Sequence, residues 1–238
     1  MAHLTDLGEL APLWLTREGL DLLLESDSTP YSRRELTESQ AEQWDRLREA
    51  GLLNACGRIP WKARHILAAI RRPEVAVEAY ALTGDTAAVR WRANMKGDHA
   101  LIWAPPGPVP DATVTARQVA DYLRDPPEEY YVQVVTKSWT PVAAFAWMGL
   151  CNRDAYDGDH RFPAKALYRR LTDPDEPCPP GVPPALWAEP LVLWYVVAFP
   201  GEHCTLLLDS GASGLWWPEM TGEEIRLHPF PVLSAWQT

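Results

Sequence analysis

Apolar residues recur at helical spacing through much of the first 72 residues. In the first such stretch, Leu20, Leu23 and Leu24 fall on one face, which is the pattern of an amphipathic helix. The spacing predicts three helices, over about 17–25, 37–50 and 60–71. The short apolar run Leu13–Leu15 lies just before the first of them and favours a strand.

From residue 75 onward, the spacing between apolar residues changes from three or four positions to two. Val89, Trp91 and Ala93 alternate with Arg90 and Arg92, as expected for a strand with one polar and one apolar face. The same alternation predicts neighbouring strands over about 75–79 and 100–103.

Short polar turns separate these three strands. Thr83, Gly84 and Asp85 form the first turn signal, and the stretch 96–98 (Lys-Gly-Asp) forms the second. A parallel crossover needs a dozen or more residues, so strands joined this closely pair antiparallel. The sequence therefore predicts an antiparallel meander.

A similar order returns in the second half of the chain. The predicted helices lie at about 115–124, 141–150 and 164–171, and a terminal helical turn at 232–236. The predicted strands lie at about 130–137, 191–199, 204–209, 214–217 and 225–228. Between them, residues 172–190 contain seven prolines and are interpreted as an irregular connection. The order helices, meander, helices, meander predicts an α+β fold, in which halves of about 1–125 and 126–238 share one antiparallel sheet in a single domain.

Composition narrows the function classes. The formal net charge of -10 argues against binding to nucleic acid or to anionic membranes. The longest apolar stretch, Pro141–Leu150, is too short to span a bilayer, and the first residues carry no secretory signal. Four cysteines without a CxxC pair are interpreted as free thiols. We therefore expect a cytoplasmic protein that does not insert into membranes.

Catalytic and cofactor motifs are absent from the sequence. It has no phosphate-binding, dinucleotide-binding or HExxH signature, and Gly211–Gly214 lacks the spacing of a nucleophile elbow. The acidic run Asp154–Asp159 does not keep the ligand register of a calcium loop. We therefore expect no enzyme activity, no cofactor and no metal site.

The 12 tryptophans suggest an interaction surface, because tryptophan is enriched at protein interfaces. Trp216 and Trp217 are adjacent in a predicted strand, so one ring faces each side of the sheet. Aromatic residues on the outer sheet face and an exposed turn could together hold an apolar helix tip. The candidate partner-binding residues are Trp91, Trp103, Trp216, Trp217, Thr83, Gly84 and Asp85.

Several segments within the first 105 residues are similar to one known family. They are Leu13–Thr16 before a Leu-rich helix, Leu47–Leu53, Ile66–Val77 and Gly97–Leu101. In these segments and in the order of its elements, the chain resembles the EspG family, the cytosolic chaperones associated with ESX (type VII) secretion in actinobacteria.

That resemblance implies a twisted antiparallel sheet flanked by helical bundles, with quasi-two-fold halves. It also implies a chaperone in protein transport that holds a PPE-like secreted helical protein, as a PE–PPE heterodimer, soluble before export. The helical part between Trp139 and Pro190 is shorter than is usual in the family, which leaves a different secreted helical partner open. The chaperone itself is expected to be a monomer or a weak dimer.

Two other functions remain open on the sequence alone. An acidic immunity-type or regulatory protein would bind a basic partner through a compact acidic patch. An enzyme would need a pocket that brings together several distant residues, namely His99, His160, His203, Asp157 and Cys204.

Overall fold

The structure is a computed structural model that describes residues 10–25, 32–83, 86–108, 114–149, 160–201, 203–210 and 215–229. The helices are α1 (Arg17–Glu25), α2 (Glu38–Glu49), α3 (Arg64–Arg71), α4 (Ala116–Arg124), α5 (Thr140–Trp147), α6 (Ala164–Thr172) and α7 (Pro184–Ala188). The strands are β1 (Leu10–Thr16), β2 (Val75–Thr83), β3 (Thr86–Lys96), β4 (His99–Ala104), β5 (Glu129–Thr136), β6 (His160–Pro163), β7 (Leu191–Phe199), β8 (His203–Ser210), β9 (Leu215–Thr221) and β10 (Glu224–Pro229). Short 3-10 turns occupy Arg33–Glu35, Trp61–Ala63 and Lys137–Trp139.

The strands form one antiparallel sheet in the order β1-β5-β4-β3-β2-β7-β8-β9-β10-β6. β2 and β7 pair at the centre, where Tyr80 lies opposite Tyr195. Outward from this pair, β3, β4, β5 and β1 follow on one side, and β8, β9, β10 and β6 on the other. If β1–β5 are taken as one set and β6–β10 as a second, corresponding strands therefore occupy the same positions outward from the centre of the sheet. The predicted α+β class with a large antiparallel sheet is confirmed.

Capping residues set the start of two helices. At α2, Gln40 N donates to Thr37 Oγ1 at 3.3 Å and Thr37 N donates to Gln40 Oε1 at 3.1 Å. Thr115 and Gln118 make the same reciprocal pair at α4. Each pair satisfies main-chain N–H groups that have no partner within the helix. The Thr-x-x-Gln spacing of both pairs is the sequence signature of a capping box, and both capping boxes form.

Side chains alternate between the two faces of the sheet, and helices cover both faces. We call the face that packs against α4 and α5 the front face; its core includes Trp91, Ile102 and Trp194. The opposite, back face carries two separate cores. One lies under α1–α3 and the other under α6 and α7.

The gap between the two back-face cores contains charged residues. Glu78 of β2 forms an ion pair with Arg92 of β3 at 2.8 Å and accepts a hydrogen bond from the Tyr80 hydroxyl. The Arg92 Nε donates to Asn94 Oδ1 at 2.9 Å, and the Asn94 amide donates to the Ala69 carbonyl of α3 at 3.0 Å. This network pairs the charged side chains that alternation along β2 and β3 places on the back face of the sheet.

The structure differs from the sequence prediction in three elements. β6 was not predicted, because four residues are too few to show a period. α7 forms inside the proline-rich stretch that was predicted to be irregular, with Pro184 in its first turn, a position that tolerates proline. The helix predicted from Pro60 begins with a 3-10 turn before α3. The terminal turn predicted at 232–236 lies outside the described residues.

Across the ranges given above, no helix is long and apolar enough to cross a lipid bilayer.

Candidate protein-docking groove

An apolar groove of about 260 Å³ lies on the front face, between α5 and the centre of the sheet. Strands β2, β3, β7 and β8 form its floor, and α5 forms one wall. None of the described residues that line it is charged, and threonine supplies the polar lining. The lining residues are Val77, Trp91, Met95, Thr140, Pro141, Ala144, Phe145, Met148, Val196, Thr205 and Leu207.

The floor is apolar because front-facing positions of four neighbouring strands carry aliphatic or aromatic side chains. Trp91 lies in the floor, and its indole Nε1 donates to the Tyr131 hydroxyl at 3.0 Å. Burial raises the pKa of Tyr131 well above its usual range, and the hydrogen bond from Trp91 opposes this shift in part. The Tyr131 hydroxyl therefore stays protonated and fixes the Trp91 ring.

The C-terminal end of α5 packs against the sheet and against the loop after β4, which fixes the position of this wall. The Trp147 ring packs edge-on against Trp194 of β7, with centroids 5.2 Å apart. The loop after β4 approaches closely, and a Cβ at Gly107 would collide with the Trp147 carbonyl oxygen. Glycine at this position therefore allows the loop to pack directly on the helix.

One polar atom in the groove wall has no partner. Thr140, the first residue of α5, is 2% exposed, and its Oγ1 makes no hydrogen bond within the described part of the chain. A buried polar group without a partner is unusual in proteins.

Exposed tryptophans stand near the groove. Trp139 directly precedes the α5 wall and is 60% exposed, and Trp217 of β9 is 54% exposed. Leu208 pairs with Trp216 across β8 and β9. Because side chains alternate along a strand, Trp217 shares the front face with Leu207 of the groove floor. Trp217 thus extends the apolar surface by one strand.

The structure separates the four tryptophans that the sequence singled out. Trp91 and Trp217 face the front, whereas Trp103 and Trp216 belong to the two back-face cores. Trp91, Trp103 and Trp216 are buried, so these three indoles are not exposed on the surface of the protein. Trp103 and Trp216 fill the spaces between the sheet and the back-face helices. Trp91 lines the groove floor, and Trp217 is exposed to solvent.

The predicted turn at the end of β2 is described only in part. Thr83 is the last residue of β2 and pairs with Thr86 of β3, while Gly84 and Asp85 lie outside the described residues. The second predicted turn follows Met95, a groove residue. There Gly97 adopts a φ of 60°, and the Glu74 carboxylate bonds to Lys96 at 3.0 Å. This contact lowers the pKa of Glu74.

Sequence reasoning missed the α5 side of the groove. Phe145, Met148 and Thr140 were not among the candidate residues. A signal was present, because the helix from Thr140 to Trp147 contains no charged residue. A helix without a polar face must be covered on all sides, and the described chain leaves part of it open at the groove.

A second cavity of about 500 Å³ lies beside α1 and has a different character. Its lining mixes the guanidinium groups of Arg17 and Arg90 with the carboxylates of Asp125 and Glu128. Arg17 also lies over the Tyr130 ring, 5.8 Å from its centroid. Opposite charges side by side make this cavity less suited to an apolar partner than the groove.

The histidines of the alternative enzymatic site do not meet. His99 lies in β4, His203 in β8 and His160 in β6 at the far edge of the sheet. β4 and β6 are seven strand spacings apart in this order, or roughly 33 Å at about 4.8 Å per spacing. Cys204 follows His203 on the opposite face of β8, and Asp157 lies outside the described residues. Within those residues, no cluster of three or more His, Cys, Asp or Glu side chains is arranged to hold a metal ion.

Neither a protein-family profile nor a curated protein sequence matches this chain.

Proposed function

We propose that this protein is a cytoplasmic binding protein that holds the apolar tip of a helical secreted protein before export. The front-face groove carries this proposal. It is open, uncharged and lined by aliphatic and aromatic side chains, and exposed tryptophans stand near it.

The size and chemistry of the groove suit large apolar side chains. A cavity of about 150 Å³ accepts benzene, so about 260 Å³ offers room for roughly two such side chains. Burying each one contributes about 1.5–3 kcal/mol. A charged side chain would lose its hydration without gaining a partner, so the groove selects against it.

The topology supports the EspG-like version of this proposal. Both halves of the sheet place their strands in the same order on either side of the β2–β7 pair. That repetition is what quasi-two-fold halves require. On this proposal the protein is a chaperone of a type VII (ESX) secretion system, and the tip belongs to a PPE-like protein, alone or in a PE–PPE heterodimer.

The experiment compares affinity purification from the native cytoplasm for the wild type and two matched variants. Phe145→Glu places a carboxylate in the groove wall. Leu206→Glu introduces the same charge at a position on the back face of β8 that is 41% exposed. Thermal unfolding of both variants checks that they fold.

We expect wild type and Leu206→Glu, but not Phe145→Glu, to recover a helical secreted protein at stoichiometric yield. Co-expression of that protein should keep it soluble only with the first two. Equal recovery by all three proteins would place the contact elsewhere and contradict the groove proposal.

The net charge of -10 favours one alternative, an immunity-type or regulatory protein that binds a basic partner. Such binding depends on charge and weakens steeply as salt is added. Binding through the apolar groove changes little with salt. Measuring the affinity at low and high ionic strength therefore separates the two functions.

A further inference from the structure

We infer that the Thr140 hydroxyl is a specificity-determining contact in the groove, and that it donates a hydrogen bond to an uncharged main-chain carbonyl of the bound helix tip. This inference rests on the proposed function and adds to it the chemistry of the group that enters the groove. It starts from the unpartnered Oγ1 in an otherwise apolar wall.

A buried hydroxyl without a hydrogen bond destabilises the free protein. A group left unsatisfied in this way loses its hydration without a compensating hydrogen bond. Valine has nearly the same shape and would avoid this penalty at position 140. Within the described structure, no hydrogen bond accounts for a hydroxyl at this position. A hydrogen bond to a bound partner would account for it.

The end of a helix supplies the matching group. The last four carbonyl oxygens of a helix have no partner within it, and a helix tip exposes them beside its apolar side chains. A tip can thus fill the groove with an apolar side chain and offer a carbonyl oxygen to Thr140. None of the described lining residues is charged, so a carboxylate would lose its hydration without gaining a counter-charge, and an uncharged carbonyl is the favoured acceptor.

Thr140 can turn its hydroxyl towards such an occupant. Rotation about χ1 exchanges the positions of hydroxyl and methyl, and threonine in helices populates two χ1 rotamers. In the structure the Oγ1 is shielded from solvent. The occupant therefore selects the rotamer in which the hydroxyl faces the groove.

Two small probes of similar shape test the contact directly. Acetophenone carries a carbonyl next to a phenyl ring and stands in for a main-chain carbonyl beside an apolar side chain. Ethylbenzene has the ring without the acceptor. Their dissociation constants are measured by NMR titration, observing Thr140 and Phe145, for wild type, Thr140→Val and Thr140→Ser. Comparing ratios of constants cancels the different hydration of the two probes.

In the wild type we expect the preference for acetophenone over ethylbenzene to exceed that in Thr140→Val by about three- to tenfold, as one net hydrogen bond provides. Thr140→Ser should keep the wild-type preference. Thr140→Val should also unfold at the same or a higher temperature than wild type, because it removes an unpaired hydroxyl.

Equal preferences in wild type and Thr140→Val would overturn the inference, as would a lower unfolding temperature of Thr140→Val. Binding of neither probe would overturn it too. These results concern the hydroxyl and the groove chemistry alone. Loss of partner recovery in Phe145→Glu with no effect of Thr140→Val would leave the proposed function standing and remove only the role of Thr140.

Discussion

The indole N–H of Trp147 donates to the carbonyl oxygen of Pro105 at 2.8 Å. This buried bond joins the C-terminal end of α5 to the loop that follows β4. Because α5 is the wall of the groove, the bond helps to set the distance between that wall and the sheet floor.

Trp147→Phe should destabilise the protein. Phenylalanine keeps most of the ring but leaves the buried Pro105 carbonyl unsatisfied, which costs about 1–3 kcal/mol. Chemical denaturation of wild type and variant measures the difference in the free energy of unfolding.

Trp139→Phe is the matched control, because Trp139 is 60% exposed and exposed substitutions usually change stability by less than about 0.5 kcal/mol. Equal stability of Trp147→Phe and Trp139→Phe would show that the bond to Pro105 contributes nothing.

Glu78→Gln should also lower the stability. It removes the carboxylate that pairs with Arg92, and the Glu78 side chain is only 8% exposed. Breaking a buried pair costs about 3–5 kcal/mol. Arg92 is 29% exposed and can regain some hydration, so we expect a loss of about 2 kcal/mol in the free energy of unfolding.

Glu42→Gln removes a carboxylate from an exposed pair with Arg46 on α2. Such helix pairs contribute about 0.3–0.5 kcal/mol. Denaturation curves should therefore place Glu42→Gln close to wild type and Glu78→Gln well below it. The reverse order would refute the role assigned to the Glu78–Arg92 pair.

Gly107→Ala tests the close approach of the β4 loop to α5. The added Cβ would collide with the Trp147 carbonyl oxygen, and main-chain atoms cannot move aside as a flexible side chain can. Overpacking of this kind costs about 1–3 kcal/mol, and it should also widen the groove and weaken partner binding.

Gly97→Asn is the comparison variant. A side chain at Gly97 meets open space, and asparagine tolerates its positive φ better than most residues. A Gly107→Ala protein as stable as Gly97→Asn, with unchanged partner recovery, would contradict the steric argument.

Periodicity and turn spacing predicted much of the fold. The alternation in β3 and the short turn at Gly97 required antiparallel pairing, and the Thr-x-x-Gln spacing located the starts of α2 and α4. These are local properties, set by residues within a few positions of each other. The sheet order β2-β7, by contrast, joins strands more than 100 residues apart, and no local pattern specifies it.

The sequence predicted the aromatic character of the proposed binding surface but not its position. The sequence indicated aromatic residues on a sheet face, but it could not tell which face of each strand helices would cover. Trp103 and Trp216 alternate with their neighbours much as Trp91 and Trp217 do, yet α1–α3 and α6–α7 bury them. Which surface stays open depends on how the helices pack, and that follows from the long-range strand order.

Alkaline unfolding gives a test that is independent of any partner. Burial raises the pKa of both Tyr131 and Tyr122 in the folded protein, whereas tyrosine in an unfolded chain titrates at about 10. Above that pH the unfolded state loses protons that the folded state retains. The stability these two hydroxyls contribute is therefore complete below about pH 10 and declines as the pH rises further, by up to about 1.4 kcal/mol per pH unit for each tyrosine.

Tyr131→Phe should make this alkaline decline shallower, although it lowers the stability at neutral pH because Trp91 loses its acceptor. The double variant Tyr122→Phe/Tyr131→Phe should be shallower still. Denaturation midpoints measured from about pH 8 to 12, on both sides of the value for an unfolded tyrosine, give the slopes. Slopes equal to wild type would mean that neither hydroxyl is held protonated by burial. The hydrogen bond from Trp91 to Tyr131 would then not depend on a hydroxyl that burial keeps protonated.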